Sequence, residues 1–241
     1  MFDIDETLLD NGHQQNGRGY HEEFRRQAVV EIGKQRKIPA LASVTYEQSA
    51  IAFRTAHQHT FAASLWNLLC MTGVRKNPLA IDEQDELMIA ITDRKNQLYS
   101  EALESVIRPI PFASELIKTI HEYCGDKMSI ASTARRVDID KFLEVNQFSR
   151  YFAATSIVSL ESITRPKPDP EAFSKAFRML GLPPSAAAQT IAFEDAPNGV
   201  ASAKQSGLYT VALTTHYSRD ELADAEFAPD RIIDSYQEII R

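Results

Sequence analysis

Four short segments of this 241-residue chain carry side chains suited to holding a cation and a phosphate group. The first is Asp3-Ile4-Asp5-Glu6-Thr7-Leu8. If residues 1–5 close a strand, positions two apart point to the same side, so both carboxylates project together past its carboxyl end. Two carboxylates this close repel, and keeping both ionised calls for a cation; a solvated turn or helix start is the alternative. The second segment, Met128-Ser129-Ile130-Ala131-Ser132-Thr133, reads as a strand ending in two hydroxyls. Ser132 can donate to a phosphate oxygen, or Ser132 or Thr133 can cap the helix that follows. In the third, Arg165-Pro166-Lys167-Pro168-Asp169-Pro170-Glu171, a lysine between prolines loses less freedom on ordering than one on a mobile loop. Asp169 as N-cap and Pro170 at the first helical position would start the next helix, with a solvated lysine on a rigid turn as the plainer reading. The fourth, Ile191-Ala192-Phe193-Glu194-Asp195, is an apolar strand ending in two acids. A magnesium ion fits there, because it prefers oxygen ligands and keeps several waters.

The elements that must position these groups follow from periodicity. Apolar runs of strand length at residues 128–131, 154–158, 190–193 and 209–213 alternate with helical patterns at 115–123, 138–145, 171–180 and 199–206. Strands alternating with helices over residues 110–241 predict a parallel sheet with right-handed crossovers, whose ligand sites lie beyond the carboxyl ends of the strands. Residues 20–106 show helices only, at 20–36, 45–56 (opening on Thr-x-Glu) and 60–71. Leu87, Ile91, Leu98 and Ala102 add one further helical face. A helical insertion after the first strand is expected, with hinges at residues 11–19, where glycines allow a φ/ψ change, and at 107–111, where prolines limit it.

Composition narrows the class. The chain has 26 basic and 33 acidic side chains, a net charge of -7. A negative surface repels phosphate backbones and anionic lipid, which argues against nucleic acid or membrane as the main partner. A local cluster of cations still admits a small anionic substrate. Hydrophobic residues at 44% and charged residues at 24% match an ordinary soluble globular protein. Cys70 and Cys124 cannot form a disulfide framework and read as thiols in a reducing compartment. Asp3, Asp5 and Glu6 stand where a signal peptide needs basic residues, and the most apolar stretch, Phe61–Met71, is too short to span a bilayer. A cytoplasmic location is expected.

Taken together and in this order, the four segments resemble the haloacid dehalogenase superfamily. The resemblance spans nearly the whole chain and extends to flanking texture, Lys167-Pro-Asp-Pro and Glu194-Asp-Ala-Pro-Asn-Gly-Val-Ala-Ser-Ala-Lys-Gln-Ser-Gly207. The insertion looks like that family's helical C1 cap. The implied fold is α/β, a three-layer Rossmann-like parallel-sheet core formed by residues 1–14 and 107–241, with an inserted all-helical cap domain at 15–106.

By the same resemblance, Asp3 is the nucleophile and forms an aspartyl-phosphate. Asp5 protonates the leaving oxygen and then activates water. Thr7 supports the loop and joins Ser132, Thr133 and Lys167 in the phosphate-binding set. Asp195, with Asp3 and the backbone carbonyl of Asp5, binds Mg²⁺, and Glu194 does so directly or through water. Dehalogenases of the superfamily lack an aspartate at the Asp5 position, so its presence implies phosphoryl transfer. Phosphonate-cleaving relatives need a Schiff-base lysine in the cap, and no motif marks Lys34, Lys37, Lys76 or Lys95 for that role.

The implied activity is Mg²⁺-dependent hydrolysis of a small phosphorylated metabolite of the sugar phosphate, phosphoglycolate or nucleotide type, by a monomer or a homodimer. A sugar-phosphate mutase of the same fold and a catalytically silent binding protein are the other readings. In capped relatives the cap chooses the substrate, which makes Arg54, His57 and His59 candidates, against a solvated interhelical turn. Arg135, and Arg136 beside it, are further candidates for an anionic substrate group, against plain surface charge. Three departures stand out. Glu6 occupies a position where many members have glycine, and Thr133 one where asparagine is frequent. Only Met1 and Phe2 precede Asp3, so the first strand is expected to be short.

Overall fold

The computed structural model describes residues 1–12, 18–57 and 60–240 of the chain. It divides into two compact units, one of Met1–Gln15 with Leu103–Arg241 and one of Asn16–Ala102. After strand β1 (Leu9–Asp10) the chain enters the second unit, where the helices are α1 (Tyr20–Gln35), α2 (Pro39–Ala42), α3 (Tyr46–Arg54), α4 (Phe61–Met71) and most of α5 (Glu86–Ser105). Thr45 starts α3 through a capping box with Gln48, and the Thr60 hydroxyl accepts from Ala63 N to start α4. The buried faces of α1, α4 and α5 meet in one apolar cluster that includes Val29, Leu65, Leu69 and Ile91. Inside this unit lies a fully buried cation. Arg25 donates from Nε to Ser49 Oγ (3.0 Å), from Nη1 to Ser64 Oγ (2.9 Å) and from Nη2 to the Ser49 carbonyl (2.6 Å).

The chain returns to the first unit through β2 (Arg108–Pro109), which pairs antiparallel with β1. There follow α6 (Ala113–Cys124), β3 (Ile130–Ala131), α7 (Arg136–Val145), β4 (Ile157–Val158), α8 (Glu171–Met179) and β5 (Ile191–Glu194). The unit closes with α9 (Pro197–Gln205), β6 (Tyr209–Leu213), α10 (Arg219–Ala223), β7 (Arg231–Ile233) and α11 (Gln237–Ile240). Strands β3 and β4 pair in parallel, as do β5, β6 and β7 in that order.

Phe2 joins the two strand groups, with parallel bridges to Ile130 on one side and Phe193 on the other. Phe2 N donates to Ser129 O at 3.0 Å and its carbonyl accepts from Ala131 N at 2.8 Å, while Asp3 N donates to Phe193 O at 3.0 Å. The N-terminal residues therefore run through the middle of the parallel arrangement. The strand expected over residues 1–5 is reduced to this bridging residue, because at Ile4 the chain already turns, its carbonyl accepting from Leu8 N and Leu9 N.

Alternation of side chains distributes the core to both faces. Met1, Ala131, Val158 and Ala192 pack with Phe173 and Ala176 of α8 and Ala203 of α9. Their neighbours Phe2 and Phe193 point the other way, stacked at 5.0 Å, with Phe152 and Tyr236 edge-on against them. The result is the α/β, parallel-sheet architecture read from the sequence. One expected strand is shorter than its apolar run: residues 154–156 form a 3₁₀ turn, closed by Ser156 Oγ to Ala153 O, before β4 begins. Among the described residues, no helix is long and apolar enough to cross a membrane.

Candidate active site

Carboxylates converge where the chain leaves the middle of the sheet. Asp3 follows Phe2, Glu194 ends β5 and Asp195 comes next, and one carboxylate oxygen of each lies within 4.8 Å of the others. All three are buried. Lys167 sits between two of them, its Nζ donating to Asp3 Oδ1 at 2.6 Å and to Glu194 Oε1 at 2.5 Å.

The lysine is held by a loop fastened at both ends. Glu171 accepts from Thr164 N, Thr164 Oγ1 and Arg165 N, while Ser202 Oγ and Gln205 Nε2 of α9 donate to the carbonyls of Asp169 and Pro168. Helix α8 starts one residue later than its prolines suggest, because Asp169 Oδ1 accepts from Glu171 N in a local turn and caps no further residue. Glu194 is folded back on the start of α9, where its Oε2 accepts from Asp195 N (3.0 Å) and Ala196 N (3.4 Å). The amides and dipole of a helix N-terminus favour an anion there.

Three buried carboxylates around one ammonium leave negative charge in excess. Burial, then Glu194 and Asp5, push the Asp3 carboxyl up to about 8 against the pull of Lys167. Asp195 is raised well above its usual range by burial and by Glu194, Asp3 and Glu6. Burial alone would lower Lys167, but Asp3 and Glu194 outweigh it and hold the ammonium charged. A set made only of carboxylate oxygens, short of positive charge, fits a hard divalent cation such as Mg²⁺. The Asp5 side chain is not in this cluster; its expected contact to a metal is through its backbone carbonyl.

The Asp5–Leu9 turn is braced from several directions. Asn11 Nδ2 donates to Asp5 Oδ1 at 2.6 Å and Asn11 N to Glu6 Oε1 at 2.9 Å. Thr215 Oγ1 donates to the Glu6 carbonyl, and the buried Tyr236 hydroxyl to the Thr7 carbonyl at 2.9 Å. Thr7 Oγ1 lies 3.5 Å from Asp195 Oδ1, and His216 Nδ1 is 4.0 Å from Asp195 Oδ2. Glu6 has φ +55, the left-handed region that favours glycine. Its side chain is nonetheless buried and bonded, which accounts for an acid at that position.

Asn11, Thr215, His216 and Tyr236 were not among the residues singled out from the sequence. A signal existed for two of them, since Thr215 and His216 come two and three residues after the apolar run of β6, beyond the carboxyl end of a parallel strand.

Ser132, fully buried, directly follows β3, beside the N-terminal segment. Its Oγ accepts from Ala134 N at 3.0 Å, turning the chain ahead of α7 and leaving that helix without a side-chain cap. Thr133 is half-buried. Arg135 is committed through Nε and Nη2 to both carboxylate oxygens of Asp138, each at 2.7 Å. In the helical unit, Arg54 is exposed and paired with Glu47 at 3.2 Å, and His57 is exposed. His59 lies outside the described residues.

Comparison with known proteins gives the chain's family and fold. The haloacid dehalogenase-like hydrolase family model matches residues 1–213. Over 231 residues the chain is 28% identical to Protein CbbY of Rhodobacter capsulatus, covering 94% of this chain and 90% of that protein. Over 70 residues it is 41% identical to validoxylamine A 7'-phosphate phosphatase of Streptomyces hygroscopicus subsp. limoneus, covering 29% of this chain and 32% of that protein. The crystal structure of a HAD hydrolase, family IA, variant 3 from Entamoeba histolytica superposes with a TM-score of 0.74 at 19% identity, covering 98% of this chain and 92% of that one, a likeness of fold. A family match running from Met1 to the end of β6 makes this chain a member of the haloacid dehalogenase-like hydrolases.

Proposed function

We propose that the chain is a Mg²⁺-dependent phosphatase that hydrolyses a small phosphomonoester through an aspartyl-phosphate on Asp3. The observation that carries this reading is the Lys167 ammonium set between Asp3 and Glu194 at the strand ends, with Asp195 beside them. An Asp3 oxygen attacks phosphorus in line while the bond to the leaving oxygen breaks, and Asp5 gives that oxygen its proton. Asp5 then takes a proton from water as the water attacks phosphorus and frees Asp3. Lys167, Ser132 and Thr133 hold the phosphoryl oxygens, and Thr7 steadies Asp195. Asp3, Asp195, Glu194 and the Asp5 carbonyl are the residues that would hold Mg²⁺. When bound, the ion supplies positive charge against the repulsion between carboxylate and phosphate, on the order of 4 kcal/mol per charge pair at 4 Å.

The inserted segment, residues 15–106, is read as the cap that selects the substrate. Arg54, His57 and His59 are its candidates, ahead of Arg135, whose guanidinium is occupied by Asp138. Loss of kcat/KM on one substrate of a panel in Arg54→Ala or His57→Ala would identify a selecting residue, and unchanged values across the panel would remove both. A sugar phosphate, phosphoglycolate or nucleotide is the class favoured, and a net charge of -7 supports a small metabolite over nucleic acid. The free thiols of Cys70 and Cys124 support a cytoplasmic location.

The test is phosphate release from an aryl phosphate with Mg²⁺ or excess chelator, for the parent and for Asp3→Asn. Metal-dependent turnover lost in the variant is expected; turnover that survives both chelation and the substitution would refute the reading.

A further inference from the structure

We propose that Asn11 is a positioning residue for proton transfer, fixing the Asp5 carboxyl through its side-chain amide; the inference rests on the phosphatase reading above. Asn11 is 2% exposed, and its Nδ2 lies 2.6 Å from Asp5 Oδ1. Its backbone N–H is spent on Glu6 Oε1, so the residue grips two successive acids of the turn at once. The same turn is clamped from the far side by Thr215 at the Glu6 carbonyl and Tyr236 at the Thr7 carbonyl. What Asn11 holds is thus a side chain on an already fixed backbone.

The chemistry favours an amide there. Proton transfer needs the carboxyl within about 2.6–3.2 Å of the oxygen it serves, so its rotamer must be chosen in advance. A lysine or arginine next to Asp5 would choose the rotamer but also hold the group ionised, opposing its service as an acid. An amide donates a hydrogen bond while carrying no charge and binding no proton of its own. With Oδ1 accepting from Asn11, Oδ2 carries the transferable proton: it passes to the leaving oxygen as the phosphorus–oxygen bond breaks, and is regained from water in the second step.

The experiment compares a plain phenyl phosphate with an electron-poor aryl phosphate of the same size, whose leaving oxygen needs little protonation. Asn11→Ala keeps the backbone N–H to Glu6 and removes only the amide. It is expected to lower kcat/KM about tenfold more on phenyl phosphate than on the electron-poor ester, a fraction of the roughly 10²–10⁴ that general acid catalysis supplies. In an Asp5→Asn background the same substitution should leave the ratio between the two esters unchanged. Asn11→Leu, which keeps the branching of the side chain and loses the donor without adding a charge, reads the same ratio should Asn11→Ala fold poorly. Equal losses on both esters, or no loss, would overturn the inference and leave the phosphatase reading standing. Turnover that survives Asp3→Asn would overturn both.

Discussion

Glu194 places its carboxylate in the space that Gly199 leaves open. A Cβ built on Gly199 would clash with Glu194 Cδ and both of its carboxylate oxygens. Glycine at this point of α9 is what lets Glu194 fold over the helix start and still reach Lys167.

Gly199→Ala should therefore displace Glu194 from the site. Overpacking of this kind costs about 1–3 kcal/mol. The midpoint for Mg²⁺ activation should rise about tenfold, with a modest fall in Tm. Mg²⁺ titration of turnover checks this; an unchanged midpoint would mean that Glu194 has no part in holding the ion.

Lys167→Met removes the ammonium from a group whose side chains are 5%, 9% and 1% exposed at Lys167, Asp3 and Glu194. Uncompensated buried charge costs about 3–5 kcal/mol. The metal-free variant should lose that stability near neutral pH, and turnover should fall by about 10²–10³ as for loss of an electrostatic stabiliser. Chemical denaturation in chelator and steady-state kinetics measure the two effects separately.

Glu171 ties down the loop that carries Lys167. Its carboxyl is pulled down to about 2 by Lys175, with help from the Arg165 and Thr164 donors. A folded-state value below the unfolded one means stability present above about 4.5 and lost as pH falls toward 2. The melting temperature of the parent should drop more steeply over this window than that of Glu171→Gln. Parallel slopes would show that the carboxylate contributes no acid-sensitive anchoring.

Arg25→Ala should be among the most damaging changes in the helical unit. It leaves Ser49 and Ser64 without their buried partner and opens a cavity, which together cost about 3–5 kcal/mol. Denaturant unfolding of the full chain, read at Trp66 in that unit, should show a transition at markedly lower denaturant.

What was legible in the sequence lies at strand ends. Asp3, Ser132, Glu194 and Asp195 each close or follow an apolar run, so residue type and position at a strand's carboxyl end together placed them along one edge of a parallel sheet. Lys167 was legible through the prolines that fix its loop. The rest depends on contacts with no local signature. Tyr236 reaches Thr7 across 229 positions, and no periodic pattern announces such a closure. The pairing of Leu9–Asp10 with Arg108–Pro109 involves two-residue strands, too short for alternation to show, the second of them inside a segment read as a hinge. The first strand shrank to Phe2 because the chain turns at Ile4, a geometry set by bonds to Leu8 and Leu9.

The central claim is that phosphorus is bonded to Asp3 during turnover. Its most direct test is rapid acid quenching of the working enzyme, then mass spectrometry of the N-terminal peptide. The phosphoryl group is expected on Asp3, formed within the first turnover and absent from Asp3→Asn. Steady turnover with Asp3 unmodified at every time point would contradict the mechanism and point to direct attack by water.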